Sequence, residues 1–191
     1  MSGKAWELPV LGTQRLVLRA FRPDDVLDFY EIGCDTHVTR HITLDTFKSL
    51  EDAGDFVTKV TTNYQDEKGY YFWAIEERSS NKLIGTASFV QWSFRHRWAE
   101  LGFMVNKNYW NRGITTEAMN SVIRYCFDDL GFNKVIGRAF QRNEASNHVL
   151  QKLGMTFEGI QRQHMIKDGE FVDLNCYSLL YETYQKEQSE K

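Results

Sequence analysis

Residues 108–118 read Asn-Tyr-Trp-Asn-Arg-Gly-Ile-Thr-Thr-Glu-Ala and lie between an alternating apolar segment, 99–105, and a long amphipathic one. A strand that feeds a glycine-bearing turn and then a helix start builds an anion site. The N–H groups of the turn and the first unpaired N–H groups of the helix converge, with the positive end of the helix dipole behind them. A phosphorylated group is the natural occupant, and a second segment, 143–154, reads as built to serve the same ligand. A glycine turn alone is common punctuation between strand and helix, so the reading depends on the residues that follow it.

Asn143, Ser146, Asn147 and Leu150 fall at i, i+3, i+4 and i+7 and share one helix face. An apolar stripe would mark core, whereas three polar residues at the head of this one imply that its N-terminal end faces something polar. Capping is the plainer account of the same residues, since Asn143 is a good N-cap and Ser146 sits in the first turn. Glu100 is the single carboxylate in Ala-Glu-Leu-Gly-Phe-Met-Val (99–105). It stands either on a solvated strand face or in a partly desolvated place suited to base chemistry. Trp-Ser-Phe-Arg-His-Arg-Trp (92–98) mixes cations with aromatic rings that could stack on RNA. It reads more simply as a connection between two strands, and a net charge of −3 gives no nucleic-acid footprint.

The five histidines (His37, His41, His96, His148, His164) have no metal-ligand spacing, and no metal is expected. Cys34, Cys126 and Cys176 are read as reduced, mostly buried packing residues. At 191 residues, with 42% apolar and 26% charged side chains, the chain has the makeup of one soluble globular domain with a core of its own. No apolar run reaches the length of a membrane span. The first nine residues, Met-Ser-Gly-Lys-Ala-Trp-Glu-Leu-Pro, lack a leader-like apolar stretch, so a cytoplasmic location is expected.

The elements that must position these residues follow from periodicity. A first strand is predicted at 15–19 and a short helix from Pro23, Asp24 and Asp25 to Gly33. Ser49 and Asp52 form a capping box that starts a helix to about Tyr64. Strands are predicted at 70–75, 83–91 and 99–105, then a helix over 116–130 whose Ala118, Val122, Cys126 and Leu130 recur every four positions. A strand at 134–140, a helix at 143–153 stopped by Gly154, and a hairpin of 155–165 with 171–180 about residues 167–170 complete the order. Gln185 to Lys191 is predicted to fray. This is a mixed α/β sheet with helices on both faces.

That order, with Ala-Glu-Leu-Gly-Phe (99–103), Trp110-x-x-Gly-x-Thr-Thr-Glu-Ala118, Asn-Glu-Ala-Ser-Asn (143–147), Lys-Leu-Gly (152–154), Glu-Gly (158–159) and Gly169-x-x-x-Asp173, resembles the GNAT N-acetyltransferase superfamily. The branch it most resembles is the Rim-type ribosomal-protein N-acetyltransferases. The similarity runs from Thr-Gln-Arg-Leu-Val-Leu-Arg (13–19) to Tyr-Ser-Leu-Leu-Tyr-Glu (177–182). Trp110 stands where the superfamily loop usually begins with Arg or Gln, Asn111 replaces a frequent Gly, and Thr115 stands where Gly or Ala is expected.

The resemblance implies a single GNAT-like domain, core about 13–184, with a mostly antiparallel twisted sheet splayed at one parallel strand pair, and acetyl-CoA lying at the splay. Asn111, Arg112, Gly113, Ile114, Thr115 and Thr116 would hold the pyrophosphate. Met104 and Val105 would offer backbone hydrogen bonds to the pantetheine arm, and one of their N–H groups would meet the developing oxyanion. Asn143 would bond a pantetheine amide, Asn147 would come second to it, and Ser146 would protonate the leaving thiolate. The acceptor is a primary amine that must lose a proton, and Glu100 is the expected base, directly or through water. The acceptor would be a protein N-terminus such as that of a ribosomal protein, or a small-molecule amine (an aminoglycoside-like compound, a polyamine or an amino acid). His41 and residues 33–48 would line its pocket. A non-catalytic acyl-CoA-binding domain is the reading of another class, and a homodimer rests on analogy alone.

Overall fold

The computed structural model describes residues 7–64 and 71–189. The predicted strand residue Tyr70 and most of the residues read for a leader lie outside them. Eight strands follow the order β1-β2-β3-β4-β5-β6-β8-β7: β1 (Leu11–Gly12), β2 (Leu16–Arg19), β3 (Phe72–Glu77), β4 (Lys82–Ser93), β5 (Trp98–Val105), β6 (Lys134–Phe140), β7 (Thr156–Lys167) and β8 (Glu170–Leu180). The sheet is mostly antiparallel, and β5 with β6 is its parallel pair. The helices are α1 (Val26–Gly33), α2 (Thr36–Thr39), α3 (Leu50–Asn63), α4 (Ile114–Arg124), α5 (Glu144–Lys152) and α6 (Tyr181–Ser189). The mixed α/β class expected from the sequence is the class observed.

By contact density the chain divides into two compact units, Met1–Ser88 with Phe103–Ala118, and Phe89–Gly102 with Met119–Lys191. In the first, alternation along β2 turns Leu16 and Leu18 inward, and α1 and α3 bury Phe29, Ile32, Val57 and Val60 in one cluster with Phe21, Phe47 and Met104. The predicted capping box forms: Ser49 Oγ accepts from the Asp52 N–H at 3.3 Å and Asp52 Oδ2 accepts from the Ser49 N–H at 3.0 Å. Asp25, read as a helix-start residue, also has a second task. It accepts both Nη groups of the buried Arg19, at 2.8 and 2.7 Å, while Arg19 Nε donates to Glu76 at 2.6 Å.

In the second unit β6 has buried residues at Val135, Gly137 and Ala139 and half-buried ones at Lys134, Ile136 and Arg138, so its two faces differ. The apolar face receives α5 at close range. A Cβ on Gly137 would stand 2.4 Å from Leu150 Cδ2 and 3.1 Å from Met155 Sδ. The β7–β8 hairpin turns at Asp168 and Gly169, φ 52° and 82°, the pair of positive angles that a two-residue hairpin turn requires.

Several boundaries differ from expectation. The helix predicted over 116–130 begins at Ile114 and passes at Tyr125–Asp129 into a π-helical stretch, with the Leu130 N–H bonded to the Tyr125 carbonyl at 3.1 Å. Its buried pairs Ala118–Met119, Val122–Ile123 and Cys126–Phe127 repeat every four residues. That repeat drifts off one face of a 3.6-residue helix, and the wider turn restores it. Residues Tyr181–Ser189 are helical where a frayed tail was expected from Gln185, and Tyr181 and Tyr184 pack on Phe127 at 5.7 and 4.9 Å between centroids. Of the free cysteines only Cys126 is buried, and burial pushes its thiol pKa up; Cys34 and Cys176 are half-buried. Strand β1 and helix α2 were not anticipated. No helix among the described residues is long and apolar enough to cross a membrane.

Gly137→Val should therefore lower stability by about 1–3 kcal/mol through overpacking. Adding Leu150→Ala should return part of the loss, read as thermal midpoints of the two single variants and the double variant.

Candidate active site

In the first unit the chain leaving β5 is tied down before it turns. The Asn106 N–H donates to the Ile84 carbonyl at 2.8 Å, its Nδ2 donates to Glu31 at 3.0 Å, and its Oδ1 accepts from the Asn108 N–H at 2.9 Å. Trp110 Nε1 donates to the Val105 carbonyl at 2.8 Å, which closes the 105–110 loop. The Val105 carbonyl is thus engaged by the indole. The same bond gives Trp110 a purpose at the loop's first position.

Asn111 and Gly113 both take left-handed backbone, φ 59° and 70°. Asn is among the few residues that enter this region readily, so it can stand where the resemblance expects Gly. Glu117 is the first residue whose N–H reaches back along α4, to the Gly113 carbonyl at 3.0 Å. The N–H groups of Ile114, Thr115 and Thr116 precede it and have no helical carbonyl behind them. Ile114 buries its side chain, Thr115 and Thr116 are half-buried, and Asn111 to Gly113 are exposed. The Arg112 guanidinium stands 5.4 Å from the Tyr109 ring centroid, within cation–π range.

Two residues that sequence reasoning passed over brace this turn. Glu117 accepts from Thr13 Oγ1 at 2.6 Å, from the Arg15 N–H at 2.9 Å and from Arg15 Nε at 2.6 Å; Arg15 Nη1 donates to the Arg112 carbonyl at 3.0 Å. Burial pushes the Glu117 carboxyl upward, but the bonds from Thr13 and Arg15 outweigh it and hold it below the ordinary value of 4.5. The donor set at this turn is cationic and rich in N–H groups, with its one acidic side chain already matched by Arg15. That chemistry fits a pyrophosphate.

In the second unit Asn143 does cap α5. Its Oδ1 accepts from the Ser146 N–H at 3.2 Å, and its Nδ2 donates to Ser146 Oγ at 2.9 Å. Ser146 is half-buried and receives that bond on oxygen, so its hydroxyl hydrogen remains to donate. Asn147 is held from several sides. It is buried, Nδ2 donates to the carbonyls of Phe140 at 3.1 Å and Asn143 at 2.7 Å, and Oδ1 accepts from Asn175 Nδ2 at 2.7 Å and Tyr177 OH at 3.0 Å. Its side-chain hydrogen-bonding capacity is used inside the protein, where it positions Asn143.

Glu100 is buried, as a partly desolvated carboxylate would be, but it has a partner. Arg138 donates Nε to Oε1 at 2.9 Å and Nη2 to Oε2 at 2.7 Å, a bidentate pair. Arg138 Nη1 also lies 3.2 Å from Gln161 Oε1 and 3.0 Å from His164 Nε2, which as acceptor places the imidazole proton on Nδ1. The parallel register sets Glu100 opposite Ile136, and Arg138, two residues on, shares that face. Alternation within 134–140 hinted at the face; only the register, invisible in sequence, selects the partner. The β5–β6 register ends at Leu101 opposite Gly137. Residues 92–98 form a hairpin connection, with Arg97 Nε bonded to the Gly131 carbonyl at 2.7 Å and Phe94 packed on Phe132. Among the described residues, no group of three His, Cys, Asp or Glu could hold a metal ion.

The family model of the acetyltransferase (GNAT) domain matches residues 15–156, and the chain belongs to the GNAT acetyltransferase family. It is 34% identical over 172 residues to the uncharacterized N-acetyltransferase YoaA of Bacillus subtilis, covering 90% of this chain and 97% of that one. It is similar to the crystal structure of a GNAT-family acetyltransferase from Bacillus anthracis, TM-score 0.80 at 25% identity, over 91% of this chain and 99% of that one. It shares its fold with RimL, the ribosomal L7/L12 α-N-protein acetyltransferase solved with coenzyme A, TM-score 0.79 at 19% identity, over 90% and 98% of the two chains. The protein is thus an N-acetyltransferase, and the acetyl donor of this family is acetyl-CoA.

Because Glu117 is held below its ordinary range in the fold, its stabilising contribution is present above about pH 4.5 and is lost as pH falls through the lowered folded value. Glu117→Gln should lower the thermal midpoint at pH 7. Its deficit against the wild type should shrink steadily as pH drops below 4.5; a deficit independent of pH would contradict the ion-pair account.

Proposed function

We propose that the protein transfers acetyl directly from acetyl-CoA to a single primary amine, with a protein N-terminal amine such as that of a ribosomal protein as the leading acceptor. When bound, acetyl-CoA supplies an activated thioester. The backbone N–H groups of 113–116 and the flanking guanidinium groups bind its pyrophosphate, and Val105, whose N–H points away from β4, presents it to the pantetheine arm, with Met104 beside it on the β4 side. Asn143 keeps one amide hydrogen for the ligand while it holds Ser146, and the Ser146 hydroxyl passes its proton to the departing thiolate as it takes one from solvent water, the proton that Glu100 collects from the amine being released to solvent in turn. Glu100 receives the amine proton through water on the lone pairs that Arg138 leaves open, and Arg138 keeps the carboxylate in one orientation.

The observation that carries the acceptor class is the charge balance around Glu100. Its charge is matched by a bidentate arginine, and the neighbours beyond are Gln161 and His164. A polycation such as a polyamine or an aminoglycoside calls for surplus carboxylates, and this cluster has none to spare. The fold shared with RimL supports the same choice.

The test is an acceptor panel with acetyl-CoA: peptides with different first residues against spermidine and an aminoglycoside, with products located by mass spectrometry. Acetylation of peptide α-amines in preference to both polycations is the expected result, and the reverse preference would overturn the acceptor class. Ser146→Ala should lower kcat by about 10–100-fold with KM for acetyl-CoA nearly unchanged, and Glu100→Gln should lower kcat by a similar factor. Wild-type turnover in both variants would remove the acid–base assignments.

A further inference from the structure

The turn before α4 has two neighbouring cations, and they are held differently. Arg112 is exposed and lies on the Tyr109 ring. Arg15 comes from the far end of the sequence, just ahead of β2, and is fixed at two points: Nε on Glu117 Oε2 at 2.6 Å and Nη1 on the Arg112 carbonyl at 3.0 Å. A guanidinium has five N–H donors in a rigid fork. Those two bonds use two of them, and the Nη2 pair donates to nothing in this network. Nη2 lies 3.7 Å from where a Cβ on Gly113 would stand, and Gly113 has left-handed backbone, φ 70°. The guanidinium therefore sits over the glycine of the turn with unused donors.

Given the acetyl-CoA reading of this turn, on which it rests, we infer that Arg15 is a positioning residue of the pyrophosphate turn that also lends Nη2 to the bound phosphates. It does three things. The bond to the Arg112 carbonyl fixes the peptide plane between Arg112 and Gly113, and so the direction of the Gly113 N–H. The ion pair matches Glu117, whose carboxylate in the first turn would otherwise compete with an incoming anion for the positive end of α4. The unused Nη2 donors add a charge-assisted contact to those of the backbone. Glu117 stays ionised far below neutral pH, so the tether persists under working conditions. The Arg15 side chain is 46% exposed, so its remaining donors stay within reach of a ligand.

Calorimetric titration with CoA, dephospho-CoA and pantetheine separates the possibilities, because pantetheine lacks the pyrophosphate and dephospho-CoA lacks only the 3′-phosphate. Arg15→Gln should weaken CoA and dephospho-CoA equally, by about tenfold, and leave pantetheine unchanged. Arg15→Lys should recover only part of the loss, since a point charge cannot span Glu117, the Arg112 carbonyl and a phosphate together. Unchanged CoA affinity in Arg15→Gln would overturn the inference. So would equal weakening of CoA and pantetheine, which marks a fold defect, and so would a loss confined to CoA, which moves the contact to the 3′-phosphate. Wild-type protein that binds neither CoA nor dephospho-CoA would instead overturn the acetyl-CoA reading itself, and this role with it.

Discussion

An α-helix cannot satisfy its own first backbone N–H groups, and the contacts made by residues 103–118 direct the nearby side chains away from those of α4. The usual remedy would be a capping side chain just before the helix. Here the preceding residues are bent away from capping: Trp110 turns back to the Val105 carbonyl, and Asn111 and Gly113 adopt left-handed backbone. The one acidic side chain of the first turn, Glu117, is drawn to Thr13 and Arg15. Each of these contacts has an ordinary structural form, and together they leave a helix start with donors and no internal acceptor.

The second unit solves a different problem, how to hold a hydroxyl and a carboxylate in fixed directions. Asn147 joins the start of α5, the end of β6 and two residues of β8 through one buried amide, so Asn143 and Ser146 stand on a rigid base. Gly137 lets that helix approach β6 closely. On the other face of β6, Arg138 fixes both oxygens of Glu100 and relays their position to Gln161 and His164. Buried polar groups with complete hydrogen bonding cost little and fix one arrangement, whereas losing one partner leaves the rest exposed to the full desolvation cost.

Local signals in the chain foretold local structure well. The Ser49–Asp52 capping box, strand 134–140, the Asp168–Gly169 turn and the helix stop at Gly154 all depend on neighbours within a few residues. Partners distant in sequence were not legible. Arg138 pairs with Glu100 across 38 residues and Arg15 with Glu117 across 102, and both pairings are set by register and packing that no local pattern encodes. The same gap explains Asn147. Its position on the polar stripe of α5 was read correctly, but the stripe could not show that Asn175 and Tyr177 come from β8 to meet it. Asn111 is the converse case, because what looked like a departure from the family turn is a residue suited to the backbone angle found there.

The central claim is that the turn at 110–116 binds the phosphates of acetyl-CoA through backbone in a conformation that Gly113 makes accessible. Titrating wild type and Gly113→Val with acetyl-CoA by calorimetry tests it most directly. Saturable one-to-one binding by the wild type and its loss in the variant is the predicted result, since a β-branched residue cannot adopt φ 70° without strain. Equal binding by both proteins would contradict the claim, as would wild-type protein that shows no binding at high micromolar acetyl-CoA.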